Sequence, residues 1–415
     1  MIYSHSENYT WNNNIQGKPN MGNSDNSTTA YWYALRMGEM ASTPEELRKY
    51  LLPKEGTLLH TRTHAVTHDG KDKASVRAYF IIKLFQFLQN STFQHARQNK
   101  TSVKIAAVGE FCITLMYLDN HNQDHKYGVT DEVTRAKNRS EYQEAEGAMY
   151  RFINQNFNQK EQDLIHKTIR KLFNLYRIGM SMDDHQLTLS SYLRNNPENI
   201  HRINEEVDAY VNVDQFVQLF QDFCRRKGKL TPVVQENYLR LLFTRSYLIN
   251  TVFFQVFAEL AIELWAPLKV ETQPIINFAR IFGMAQQLVN DNCDYLPISY
   301  GYSTVCKLPE DTFSDYHRKL FLLPQIFLFQ SGILEKENIF EHYAESSLRG
   351  SITQDVEQRR VLSILTEKSA LSRSKSSLVS FAEYGEKLLK DEEIFRDMFS
   401  FVRGNRWYKA YKELS

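Results

Sequence analysis

Two segments of this chain, 101–120 and 232–265, are apolar on more than one helical face. A helix that borders water keeps a polar stripe, whereas one that is apolar nearly all round must be enclosed by other elements. Enclosing two of them takes a large bundle. Further runs read as helix at 74–90, 141–157, 160–178, 203–226, 273–295 and 317–331, with shorter ones towards the end. Alternating period-2 runs bounded by turn pairs are absent, and only 16 glycines and 10 prolines punctuate the 415 residues. The expected fold class is therefore all-α, one large helical bundle domain over 29–415. No fixed period recurs, which disfavours a solenoid.

Residues 1–28 are dominated by Asn, Ser, Gly and Thr and should form a flexible tail. Ser42-Thr43-Pro44-Glu45-Glu46 reads as a helix start, with a capping hydroxyl, a first-turn proline and acids at the positive end of the dipole. Segment 366–378, rich in Ser and Lys, is expected to be a loop between the last helices. Gln255, Glu259 and Glu263 interrupt the apolar stretch 247–268, so a continuous span of roughly 20 apolar residues is not expected there. No charged start precedes an apolar run at the N-terminus, so no signal peptide is expected. With Cys112, Cys224, Cys293 and Cys306 forming no CxxC pair, the cysteines read as reduced thiols of a soluble cytoplasmic protein. The formal charge of +1 gives no global field for nucleic acid or an anionic membrane, so an anionic ligand would need a local cluster of charges.

One such cluster is legible on the helix over 273–295, opened by Pro274. Gln287, Asn290, Asp291 and Asp294 fall at i, i+3, i+4 and i+7, which puts them on one stripe. The stripe holds no Lys or Arg. Oxygens gathered without local countercharge suit Mg²⁺, which takes carboxylate and amide oxygens beside phosphate and water. A solvent-facing edge is the plainer alternative for any one such stripe. His64 and His68, four apart, lack the adjacent Glu of a zincin and read as exposed histidines. His121 and His125 flank a second acidic segment and could add ligands there.

Gly283, Gln287, Asn290, Asp291 and Asp294 occupy in register the positions of Gly-x-x-x-Gln-x-x-Asp-Asp-x-x-Asp, with Asn for the first Asp. In this the segment resembles the second aspartate-rich motif of the trans-isoprenyl diphosphate synthases. Other segments resemble the same family. Arg245-Ser246 stands where the family has Lys-Thr, and Asp315 to Pro324, with Lys319 offset by one residue, is similar to its Asp, Lys and Thr-Leu-Pro layout. The first aspartate-rich motif is matched by Asp119, Asn120, Gln123 and Asp124, where amides replace carboxylates and the last Asp comes one position late. Lys73 to Arg77 resembles Gly-Lys-x-x-Arg-Pro with one extra residue and Ala78 in place of proline.

The resemblance implies an isoprenoid-synthase bundle with a central apolar cavity, and a prenyltransferase that condenses an allylic diphosphate with isopentenyl diphosphate. Its implied metal ligands for Mg²⁺ are Asp119, Gln123, Asp124, Asn290, Asp291 and Asp294. Asp119, Asp291, Arg245 and Gln287 would be catalytic, and Lys73, Arg77, Arg245, Gln287 and Lys319 would bind substrate. A homodimer is implied as well. Two alternatives stay open: a class I terpene cyclase-like enzyme, and a silent homologue that binds or regulates. Thr114 and Leu115, one turn before Asp119, would border the product chain with no bulky aromatic.

Overall fold

The structure is a computed structural model that describes residues 75–90, 98–124, 132–184, 239–240, 242–265, 271–292, 295, 322–329, 363 and 370–388. The expected tail over 1–28, the helix start at Ser42, and Lys73, Asp294 and Lys319 lie outside the described residues. Every described element is helical, and we number them in chain order. They are α1 (Ser75–Asn90), α2 (Gln98–Asp124), α3 (Glu132–Asn156), α4 (Gln159–Asp184), α5 (Leu242–Trp265), α6 (Thr272–Asn292), α7 (Leu323–Phe329) and α8 (Ala370–Leu388). The all-α expectation holds.

Helix α5 occupies the centre, packed by α1, α4 and α6, while α2 packs on α1 and α3, and α8 closes over α6 and α7. Three rings knit the middle: Phe80 of α1, Phe254 of α5 and Phe282 of α6 lie 5.0–5.6 Å apart, edge-on or stacked. Such pairs add about 0.5–1.5 kcal/mol beyond burial of their area. Helices α2 (over Thr101–Asn120) and α5 are long and apolar enough to cross a membrane by length and composition, which the interruptions of 247–268 had not suggested. Packing encloses both instead, with 88% and 67% of their most apolar windows buried inside the protein.

The acids that interrupt α5 have partners on α4. Lys171 Nζ lies 2.6 Å from Glu259 and Lys167 Nζ lies 3.2 Å from Glu263, so these carboxylates form the polar rim of an otherwise apolar helix. Entry into α4 follows a capping box: the Asn158 side chain accepts from the Glu161 N–H at 3.1 Å, and Glu161 accepts from the Asn158 N–H at 3.0 Å. Phe157 and Asn158 alone join α3 to α4.

Two departures from the expected boundaries have physical reasons. Helix α3 begins at Glu132, nine residues before its apolar stripe, in a charged turn where Arg139 pairs with Glu132 and Lys137 with Glu141. Segment 370–378, expected as part of a loop, is the first half of α8. Its serines face different surroundings: Ser374 is fully buried and donates to Asn292 Oδ1 at 2.6 Å, whereas Ser372 is exposed.

Cys112 is a core thiol, as its place on an apolar helix suggested, with its Sγ 3.9 Å from Met149 Sδ. Burial pushes its pKa far up, with Glu110 nearby adding to the rise. Only the thiolate reacts. An aromatic disulfide reagent should therefore leave Cys112 unmodified in the native protein and label it in denaturant, as followed by peptide mass; prompt native labelling would show that α2 opens.

Candidate functional site

The site is built on the crossing of α5 and α6. At residues Tyr247–Thr251 helix α5 widens into a single π turn, preceded by Arg245 and Ser246. Such insertions recur at functional positions because they free backbone groups and re-aim side chains. Here Thr251 Oγ1 donates to the Ser246 carbonyl at 3.3 Å. The turn is gripped from both sides by glycines. A Cβ on Gly179 of α4 would lie 2.8 Å from Leu248 Cβ, and one on Gly283 of α6 would lie 2.9 Å from Thr251 Cα and 2.7 Å from Phe254 Cδ2. Gly283 therefore lets the backbones of α5 and α6 meet.

From that crossing, α6 carries its stripe onward. Gln287 and Asp291 are buried, Asp291 to 1% exposure, and Gln287 Nε2 donates to Asp291 Oδ1 at 2.7 Å. This bond fixes the carboxylate one helical turn beyond the amide. Asn290 is half-buried beside it. The last turn of α6 contains no basic residue, although helix carbonyls concentrate partial negative charge there. A buried carboxylate, an adjacent amide oxygen and the carbonyls of a last turn without basic residues make a donor set that fits a hard divalent cation. Asn290 and Asp291 would hold it, with Gln287 orienting Asp291.

Arg245 and Ser246 are both buried on α5. Among the described residues Ser246 Oγ meets no hydrogen-bond partner at zero exposure. A buried hydroxyl without a partner suits a ligand that accepts from it.

The structure ties Arg77 to this crossing. Its Nη2 donates to Asn250 Oδ1 at 2.6 Å, and its guanidinium lies about 6 Å from the Phe253 and Phe254 rings, at 5.9 and 6.0 Å. Asn250, on the π turn, donates in turn to the Gly283 carbonyl at 2.9 Å and to Gln286 Oε1 at 3.1 Å.

Asp119 is half-buried on α2 and close to Tyr142 of α3. Burial raises the Tyr142 phenol, Glu146 and Asp119 add to the rise, and Arg177 of α4, which bonds the phenol, opposes it. Gln123 and Asp124 belong to α2, but the placement of their side chains, like Asp294, is outside the description. Among the described residues no three His, Cys, Asp or Glu side chains converge on one metal position. Thr114 and Leu115 are buried, with Thr114 Oγ1 donating to the Glu110 carbonyl at 2.9 Å.

Some polar groups were not singled out from sequence. Arg280 lies two turns before Gln287 on the same face of α6 and is buried beside Tyr247; burial lowers its pKa, while Tyr247 and Glu259 pull it back up. The Tyr247 hydroxyl donates to Gln255 at 2.9 Å, and Gln255 donates to Glu259 at 2.8 Å. A polar chain thus runs from the middle of α5 to its rim at Lys171. Asn250 and Arg280 did have a sequence signal, a polar side chain inside an apolar run, but nothing local named their partners.

No family model and no curated protein matches the sequence. Solved structures do match its fold. The polyprenyl synthase from Caulobacter crescentus CB15 is 11% identical with a TM-score of 0.58, over 91% of this chain and 97% of that one. The decaprenyl diphosphate synthase from Rhodobacter capsulatus is 11% identical with a TM-score of 0.55, over 92% and 98%. The geranylgeranyl pyrophosphate synthetase from Pyrococcus horikoshii Ot3 is 10% identical with a TM-score of 0.55, over 90% and 98%. At such identities the likeness is one of architecture: this chain has the all-α fold of the polyprenyl diphosphate synthases.

Proposed function

We propose that the protein is a prenyltransferase that joins an allylic diphosphate to isopentenyl diphosphate and releases pyrophosphate. The observation that carries this reading is the α5–α6 crossing. Gly283, Gln287 and Asp291 stand in the register of the metal helix, with Arg245 and Ser246 in the adjoining turns of α5. The polyprenyl synthase from Caulobacter was crystallised with calcium and isoprenyl diphosphate, which supports the same ligand class.

In this reading Asp291 and Asn290 would hold the divalent cation, joined by Asp294, and by Asp119, Gln123 and Asp124 from α2. When bound, Mg²⁺ neutralises charge at the diphosphate oxygens. Arg245 and Ser246 donate to the diphosphate, and Lys73, Arg77 and Lys319 add positive charge around the second substrate. Enclosing walls of Phe, Leu and Ile exclude water from the carbocation. The allylic C–O bond breaks with its electron pair on oxygen. The double bond of isopentenyl diphosphate then supplies the new C–C bond, and loss of a proton to the released pyrophosphate restores an alkene. A homodimer and a cytoplasmic location belong to the same reading.

A second reading, a prenyl-diphosphate-binding subunit without turnover, is favoured by the amides Asn120, Gln123 and Asn290 where the family has acids. One assay separates the two. The full chain is incubated with Mg²⁺, isopentenyl diphosphate and each allylic diphosphate in turn, and products are weighed by mass spectrometry. Chain extension is expected. Terpene hydrocarbon or alcohol would mark a cyclase instead, and binding without product would mark the silent subunit.

A further inference from the structure

We propose that Asn250 is the positioning residue that holds Arg77 in register with the metal helix α6. The inference rests on the prenyltransferase reading and adds to it a group that the motif resemblance does not name.

Asn250 is 2% exposed and sits on the π turn, in a run otherwise made of Tyr, Leu, Ile, Thr, Val and Phe. An amide buried there has to satisfy its donors and its acceptor inside the protein. It does so towards two different helices. Its carbonyl oxygen accepts from Arg77 Nη2 of α1 at 2.6 Å, a charge-assisted bond. Its NH₂ donates to the Gly283 carbonyl at 2.9 Å and to Gln286 Oε1 at 3.1 Å, both on α6. Orientation follows from this: the α6 acceptors fix the NH₂ end, which leaves the oxygen facing Arg77. Arg77 and Asn250 are 173 residues apart in the chain, so no local rule aligns them.

The consequence concerns geometry at the site. Gly283 is one turn before Gln287, whose amide orients Asp291. Asn250 therefore connects the guanidinium expected to meet the second substrate with the turn of α6 that leads into the metal ligands. The π turn makes this possible, because the extra residue re-aims the side chains that follow Arg245. The Asn250 amide reaches no substrate itself; it acts through Arg77.

The test uses the full-length chain and three variants, Asn250→Leu, Asn250→Asp and Arg77→Met. Leucine removes all three bonds at similar volume. Aspartate keeps an acceptor for Arg77 and loses the donations to α6. For Asn250→Leu we expect KM for isopentenyl diphosphate to rise about tenfold, with KM for the allylic diphosphate and kcat within about threefold of wild type. Asn250→Asp should recover part of that loss, which a role in packing alone would not produce. Adding Arg77→Met to Asn250→Leu should cost little more than Arg77→Met by itself.

Three results overturn the proposal. They are an unchanged KM in a folded Asn250→Leu protein, equal losses in kcat and both KM values, or additive effects in the double variant. If Asn250→Leu does not fold, the KM ratio of Asn250→Asp against Arg77→Met decides in the same way. Binding of isopentenyl diphosphate without Mg²⁺, measured by calorimetry, keeps the two readings apart. Wild type that binds isopentenyl diphosphate without turnover, with weaker binding in Asn250→Leu, sinks the prenyltransferase reading and keeps the Asn250 inference. Turnover with a normal Asn250→Leu sinks the inference alone, and wild type with neither property sinks both.

Discussion

Replacing Asp291 by asparagine is expected to lower kcat by about three orders of magnitude while leaving the thermal midpoint unchanged or higher. The two halves of this result have one cause. Asp291 is buried to 1% exposure in the last turn of α6, next to helix-end carbonyls and with no basic residue in that turn. A carboxylate there is desolvated and faces the negative end of the helix dipole, and an amide of the same shape avoids both costs. Asparagine keeps an oxygen that can accept from Gln287 Nε2 and removes the charge. Loss of one ligand charge for a cation that stabilises a departing diphosphate is worth about 4 kcal/mol, or roughly a thousandfold in rate. Steady-state turnover and differential scanning calorimetry in chelator check the pair. Activity within tenfold of wild type would remove α6 from the site. A sharp fall in the midpoint would make Asp291 a structural residue.

The second large effect falls on folding. Gly283→Val should destabilise the protein by about 3 kcal/mol or more, read as a lower denaturation midpoint in urea. A Cβ at 283 would press on the backbone of Thr251 at 2.9 Å, which cannot rotate away, and on the Phe254 ring at 2.7 Å. The helices must separate, and the bond from Asn250 to the Gly283 carbonyl then lengthens. Gly147 supplies the control. A Cβ there meets only Arg151 Nη1 at 3.3 Å, the end of a flexible chain, so Gly147→Ala should stabilise α3 by about 0.5–1 kcal/mol. Equal midpoints for Gly283→Val and wild type would mean that α5 and α6 do not cross at these residues.

These two positions also divide what can be read locally from what cannot. The spacing of Gly283, Gln287, Asn290 and Asp291 is visible in the chain because an α-helix repeats every 3.6 residues, and the stripe needs no partner to be recognised. The same periodicity marks α2 and α5 as enclosed helices. Contacts between helices leave no such trace. Glu259 and Glu263 read as flaws in an apolar run until Lys171 and Lys167 of α4 meet them. The Ser- and Lys-rich start of α8 reads as a loop, yet Ser374 turns inward to Asn292, 82 residues away in the chain.

Two helices apolar nearly all round are thus sufficient for the fold class, since burial of apolar surface is non-directional and depends on composition and period. Register is different. Which face of α6 meets α5, and whether Arg77 reaches Asn250, depends on hydrogen bonds and close backbone contacts between segments far apart in sequence. Such interactions are short-ranged and directional, so the helices could be read from the chain alone, while the Arg77–Asn250–Gly283 junction exists only once they have packed.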